Sequence, residues 1–413
     1  MDEPRPGAES ARLAAGNGAT GAVPTALAGL LAARGMSCAI GLPDGRLVRF
    51  GDGDGPAFTM HFRTDRALAL PLNEYALGRA YINGEIDVDG DMLALLELRE
   101  GLEFGTPARQ VVRFLYELFL RSPTAVNRRA IGRHYTLGND FYLSFIDRRY
   151  RFYSHCLFHS DTEALEDAAE HKLESMWNAC GLRPGMRLLD VGGGWGGVAE
   201  YCSPRGVEVT SLTLVEDSAA YIRDLVAEKR LNAHVEVSDV LDYKPAEPFD
   251  AAVIFGVIEH IPNYARLSSR MWSAIKPGGR LYIDASAVKE KYAISPITRR
   301  YTWPGHHSFL VLQDIVRELL FHGFEIVETR RETRDYELTI WHWAQRLDAA
   351  REALVARWGE ETYRAFRVFL WGGCHAFRTN RLQAYHVVAQ RRPDRGPRPT
   401  LARRTAGFVG SLR

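Results

Sequence analysis

Nowhere does this sequence carry the roughly 18 uninterrupted apolar residues that a membrane-spanning helix requires, so an integral membrane protein of the helical kind is not expected. The amino end, MDEPRPGAESARLAAGNGATGA, is acidic at its start and lacks an apolar stretch, which argues against a secretory signal. Cysteine is scarce: Cys38, Cys156, Cys180, Cys202 and Cys374 are odd in number and show no paired spacing. Neither a disulfide framework nor a zinc site is therefore expected, no metal is assigned, and a reducing cytoplasm fits. Excess charge of one sign is also missing. A net charge of +1 argues against the broad electrostatic footprint that nucleic-acid binding needs.

What is present is the composition of an ordinary globular protein, 46 % apolar and 25 % charged. A chain of 413 residues exceeds one typical domain. Residues 1–21 and 393–413 mix Gly, Ala, Pro and charge without periodicity and read as tails, the second one basic. Residues 22–105 read as a small α/β domain. There SCAIGLPDGRLVRFG suggests two strands around the turn Pro43-Asp44-Gly45, with a further strand near FTMHF. LNEYALGRAYINGEIDVDGDMLALLEL then suggests helix, short strand and helix, divided by Gly84 and Asp91. Helical pattern continues from about 107 to 145. Its aromatic-rich run VVRFLYELFL suits a cover over a lipid groove, but a Phe and Leu stripe at helical spacing more commonly packs into core, which is the expectation here.

Within 106–392 strand and helix alternate. MRLLDV, VEVTSLT, HVEVSD, DAAVIFG and GRLYIDA are strand candidates, and GFEIVETRRE and QAYHVVAQRR add two late ones around an inserted helical segment. This pattern predicts a mostly parallel sheet with helices on both faces. MRLLDV runs into GGGWGG, a turn where glycine lets a ligand approach the backbone. Such a loop alone would equally suit a dinucleotide. Here, however, Asp190 precedes a loop of G-x-G-x-G type, Glu216-Asp217 follows the second strand and Asp239 the third. Acids at three successive strand ends suit a nucleoside, although each taken singly is also what a surface helix cap looks like.

This combination resembles the class I S-adenosylmethionine-dependent methyltransferases, whose Rossmann-like sheet ends in an antiparallel strand. Further motifs resemble the cyclopropane fatty acid synthases and their mycolic acid relatives, in matching order over about residues 40–390. These are LGRAYINGEIDVDGD, HYTLGNDFYLSFID at 134–147, RFYSHCLF at 151–158, VIEHIPNY at 257–264, TWPG at 302–305, DYELTIWHW at 335–343 and CHAFRTNRLQAYHVV at 374–388. The resemblance implies Tyr135, Tyr153 and Ser154 beside the cofactor S-adenosyl-L-methionine, with Asp190, Gly192 and Gly194 in the loop. It places Thr213 and Glu216 on the ribose side, where the family's next glutamine is Ser218; Asp239 is read as facing the adenine.

The chemistry implied is attack by an alkene on a methyl carbon, which leaves a carbocation until a proton departs. Aromatic faces shield cations, and Tyr301, Trp303, Tyr336, Phe369 and Trp371 are candidates, each equally readable as packed core. In the family the proton is thought to go to a bicarbonate held by cysteine, histidine, glutamate and tyrosine. Glu259 and Tyr336 match the last two; the cysteine position is His155, with Cys156 one residue late, and the histidine position is Asp284. Two carboxylates in one pocket would disfavour a third anion. Bicarbonate is therefore not expected, and His155, Glu259 or Asp284 is read as the base itself. His260 is a further candidate base or a structural histidine, and His306-His307 departs from the family's Pro-Gly-Gly pattern.

The sequence thus points to transfer of a one-carbon unit to the double bond of an unsaturated fatty acyl lipid, a phospholipid or another olefinic lipid at the membrane surface. A cytoplasmic protein, peripheral at the inner membrane face, is the expectation, with a homodimer allowed. The altered base set favours methyl or methylene branching over ring closure. The rival readings are a methyltransferase of small-molecule natural products, acting at carbon or nitrogen, and a silent binding protein that retains the fold.

Overall fold

The computed structural model describes residues 22–53, 55–120, 137–303, 307–394 and 396–397, with the side chains of 117–120 left aside. Most of both expected tails falls outside these residues, as does Tyr135. The chain divides into two compact units, Met1–Gly105 and Thr106–Arg413.

In the first unit, β1 (Cys38–Gly41) and β2 (Leu47–Phe50) form an antiparallel hairpin. Its turn has Asp44 Oδ1 accepting from the Arg46 amide at 3.0 Å and Gly45 at φ +89°. β3 (Phe58–Phe62) runs parallel to β1, and β4 (Ile86–Gly90) pairs antiparallel with β3. The helices around β4 start at side-chain caps: Asn73 accepts from the Ala76 amide at 2.9 Å, and Asp91 from the Leu93 amide at 2.7 Å.

The second unit holds β5 (Arg187–Val191), β6 (Glu208–Thr213), β7 (Ala233–Val237), β8 (Phe249–Phe255), β9 (Ile275–Ala287), β10 (Phe324–Arg331) and β11 (Gln383–Arg391). Their order is β10-β11-β9-β8-β5-β6-β7; β11 runs antiparallel to both of its neighbours, and the other pairings are parallel. Central strands covered on both faces are near-continuously buried, as in β5, β8 and β9, whereas the edge strands β7 and β10 are largely exposed and carry charge. Chain order reverses at β5, which lies between β6 and β8. A crevice therefore opens beyond the carboxyl end of β5, where the glycine loop stands.

The helix Ala108–Leu120 corrects one expectation. Phe114 is half-buried, against Tyr292 and Arg299, but Val111, Val112, Leu115 and Tyr116 are 44–67 % exposed. Of the run read as core, these four face solvent while the helix packs through Gln110 and Phe114; the side chains of 117–120 lie outside the described residues.

Candidate active site

Asp147 builds one wall. Its buried carboxylate accepts from the amides of Arg149, Tyr150, Arg151 and Phe152, at 3.1, 2.7, 3.0 and 2.5 Å, and holds Arg151 at φ +61°. The chain leaving this turn lays Tyr153 and Ser154 along a cleft. Opposite stand Asp190, Gly192, Gly193 and Gly194. Gly192 sits at φ +93°, and a Cβ there would lie 2.2 Å from Val257 Cγ2, so only glycine fits against that wall.

The nucleoside-side residues divide. Thr213, Asp217 and Ser218 line the cleft, with Ser218 Oγ donating to the Gly194 carbonyl at 2.5 Å. Glu216 is absent from the lining; it is 67 % exposed and pairs with Arg223 at 2.5 Å. As the first residue of its helix it points outward, and Asp217, itself exposed, borders the cleft instead. Asp239 lines an adjoining recess that shares Gly192, Thr213, Val257 and His260 with the main cleft. Burial pushes the Asp190 carboxyl up to about 7 despite a 2.9 Å hydrogen bond from Ser211 Oγ.

Glu259 ends the fourth parallel strand's loop and is 4 % exposed. Its Oε1 accepts from the Ser286 amide at 3.0 Å and from Ser286 Oγ at 2.8 Å; its Oε2 is buried without a hydrogen-bond partner among the described residues. Burial lifts this carboxyl to about 7, and neighbouring Asp284 adds to the rise. Tyr336 also lines the cleft, stacked between His155 and Phe377, with Ser286 as a hydrogen-bond partner; burial holds its phenol well above the ordinary range. His260 lies against Trp303 and His307, and burial lowers it to about 4.

Asp284 and His155 stand elsewhere than the sequence suggested. Neither lines the cleft. Asp284 Oδ2 is 2.8 Å from Lys172 Nζ, its Oδ1 accepts from the Gly256 amide at 3.0 Å, and both side chains of the pair are 1 % exposed. Lys172 also donates to Ser154 Oγ at 2.7 Å and to the His155 carbonyl at 2.8 Å, over the rings of Phe152 and Phe255. His155 Nε2 meets Glu332 Oε2 at 2.7 Å, and Glu332 Oε1 meets His386 Nδ1 at 2.6 Å. The two-carboxylate pocket is thereby half neutralised. Cys156 is fully buried off the cleft, its amide donating to Thr339 Oγ1 at 2.9 Å.

Of the expected aromatics, Trp303, Tyr336 and Phe369 line the cleft, as does Trp343. Trp371 is turned to Asp348, and Tyr301 is absent from the lining. Sequence reading missed Lys172, Ser286, Glu332, His386 and the place of Asp217, rather than Glu216, in the lining. Lys172 had a signal: it falls at helical spacing among Leu165, Ala168, Ala169, Leu173 and Met176, a cation at a core position of the helix Leu165–Cys180.

Among the charged side chains lining the cleft, Asp190, Asp217 and Glu259 are acids, and the cation Arg151 is paired with Glu200. Such a lining suits a cationic ligand beside a nucleoside recess. The family model of the mycolic acid cyclopropane synthetases matches residues 123–387. The chain belongs to this family. It is accordingly an S-adenosylmethionine-dependent methyltransferase with the class I α/β fold. A probable fatty acid methyltransferase of Mycobacterium tuberculosis is 28 % identical over 384 residues, covering 83 % of this chain and 89 % of that protein. The cyclopropane-fatty-acyl-phospholipid synthase of Escherichia coli K12 is 28 % identical over 337 residues, 80 % of this chain and 86 % of that one. In fold, this synthetase-family chain is similar to a cyclopropane synthase of M. tuberculosis, with a TM-score of 0.59 at 23 % identity over 64 % of this chain and 98 % of the other. A mycolic acid cyclopropane synthase complexed with SAH and CTAB is alike to the same degree.

For this family's cofactor the residues fit: a glycine loop that lines the cleft without side chains, the buried Asp190 carboxyl, and Thr213, Asp217 and the Asp239 recess beyond it.

Proposed function

We propose that this chain transfers a one-carbon unit to the double bond of an unsaturated fatty acyl lipid, with Glu259 as the proton acceptor. The observation that carries the reading is the meeting of two things in one cleft. Ile340, Trp343, Phe369, Phe377 and Leu382 give it an apolar, aromatic side suited to an acyl chain, and the same cleft is lined by Glu259, whose Oε2 is buried with no hydrogen-bond partner among the described residues. The curated relatives named for fatty acids and fatty acyl phospholipids support it.

S-adenosylmethionine, when bound, supplies an electrophilic methyl carbon on a sulfonium. The chain's own residues do the rest. The aromatic rings of Tyr153, Trp303 and Trp343 line the cleft and shield positive charge developing on the substrate carbons without adding to them. Glu259 Oε2 takes the departing proton, and a carboxyl lifted to about 7 is matched to that task near neutrality. Ser286 fixes the other oxygen and, through its contact with Tyr336, ties that ring to the base.

Bicarbonate does not fit these residues. Two of the four positions that would hold it are lost to the cleft: His155 and Cys156 lie off it, and the Asp284 position is closed by its own pairing with Lys172. No step is assigned to it. Among the described residues no helix is long and apolar enough to cross a membrane, and we place the encounter with lipid on the aqueous side of the membrane surface.

Incubation with methyl-deuterated S-adenosylmethionine and mono-unsaturated phospholipid, followed by mass spectrometry of the acyl chains, tests the reading. A gain of one carbon is expected. Three retained deuteriums mark loss of a substrate proton and a methyl branch; two mark a ring or a methylene. Unchanged acyl chains with the cofactor still bound would transfer the assignment to a small-molecule substrate.

A further inference from the structure

The helix Ala108–Leu120 presents an apolar face to solvent. At 100° per residue, Gln110 and Phe114 share the side turned to the protein, while Val111, Val112, Leu115 and Tyr116 spread over the far side. Their exposures are 44, 67, 44 and 49 %. An isolated exposed leucine needs no explanation, but two adjacent i, i+4 pairs on one short helix form a continuous stripe.

Charge indicates what covers it. The helix carries Arg109 and Arg113 against the single acid Glu117, and both arginines fall on one flank of the stripe. The helix is anchored through Phe114, whose ring centroid is 5.4 Å from that of Tyr292 and which lies 4.1 Å beneath the Arg299 guanidinium. The segment it packs on, residues 288–303, bears Lys289, Lys291, Arg299 and Arg300 against the single acid Glu290, and ends in Trp303, which lines the cleft. An apolar stripe with a cationic flank, joined to the wall of an apolar cleft, has the chemistry of a helix lying in a lipid interface.

We propose that Val111, Val112, Leu115 and Tyr116 dock this chain on the surface of an anionic bilayer, with Arg109 and Arg113 facing the head groups. The inference rests on the lipid reading of the cleft and adds the surface by which a water-borne enzyme reaches acyl chains. Apolar insertion holds the helix in the interface, and the cations select anionic membranes.

The test is co-sedimentation of the full chain with vesicles of dioleoyl phosphatidylglycerol and phosphatidylcholine, beside Val112→Glu/Leu115→Glu. Two charges in the stripe are expected to weaken vesicle binding by about tenfold or more. Binding is also expected to fall as salt rises, and methylation of detergent-dispersed lipid is expected to persist. Val112→Trp supplies a second readout, a blue shift of its emission when vesicles are added. Unchanged vesicle binding by the double variant overturns the proposal. So does a dimeric chain that the variant turns monomeric with vesicle binding intact, since the stripe would then cover a second copy. Loss of vesicle binding in the variant supports docking whether or not any acyl chain gains a carbon; failure of that gain in the wild type overturns the substrate reading alone.

Discussion

Lys172 Nζ lies 2.8 Å from Asp284 Oδ2, and both side chains are 1 % exposed. This ion pair joins the helix Leu165–Cys180 to β9 directly behind the cleft. Through the Lys172 bonds to Ser154 Oγ and the His155 carbonyl it also fastens the turn that carries Tyr153. Removing one partner strands a buried charge, which typically costs about 3–5 kcal/mol. Lys172→Met and Asp284→Asn are each expected to lower stability on that scale. The double variant Lys172→Met/Asp284→Asn is expected to recover much of the loss, as read by denaturant unfolding. Additive losses would show that the pair does not act as one.

Glu259 gives a kinetic prediction. A base works only when deprotonated, and burial lifts this carboxyl to about 7. The rate is therefore expected to climb with pH through about 7 and to level off above it. Glu259→Gln removes the acceptor and is expected to lower kcat by about 10²–10⁴-fold, while calorimetric binding of S-adenosylmethionine changes little. A Glu259→Gln enzyme with the wild-type rate and pH profile would assign the proton to another group.

Glu332 links pH to stability. Burial pushes its carboxyl up, but hydrogen bonds from His155 and His386 overcome that and hold it at about 2, below its ordinary 4.5. A depressed carboxyl stabilises the fold above its unfolded value, so this contribution is expected to fade as pH falls from about 4.5 towards 2. His386 is shifted upward: burial lowers it, and the bond to Glu332 more than reverses this. Its contribution is full below the ordinary 6.5 and is lost as pH rises through the raised value. Thermal unfolding against pH should then show a plateau in mildly acid solution that falls on both sides. Glu332→Gln is expected to lower the plateau and flatten both limbs; an unchanged profile would remove Glu332 from the account.

Local chemistry was legible where it acts over a few residues. The Asp44-Gly45 turn, the Asp91 cap, the strand-loop-helix at Asp190 and the order of strands within 187–391 all depend on near neighbours, which the sequence displays directly. Glu216 and Asp217 show the limit. The sequence marks an acidic pair after β6, but which of the two borders the cleft depends on the angle at which the helix Glu216–Lys229 leaves the strand.

Periodicity by itself determined that this chain is a mostly parallel α/β sheet with a glycine loop at its first strand, because alternating strand and helix patterns pack in few ways. Motif order by itself determined the family. Tertiary structure decided the charges. Lys172 and Asp284 are 112 positions apart, and His155 and Glu332 are 177 apart. A buried charge is defined by what the fold brings within 3 Å of it, and no local pattern carries that distance. The same holds for the outward face of the helix Ala108–Leu120: its stripe is visible in the sequence, but whether a stripe meets core or solvent is settled only by where the rest of the chain lies.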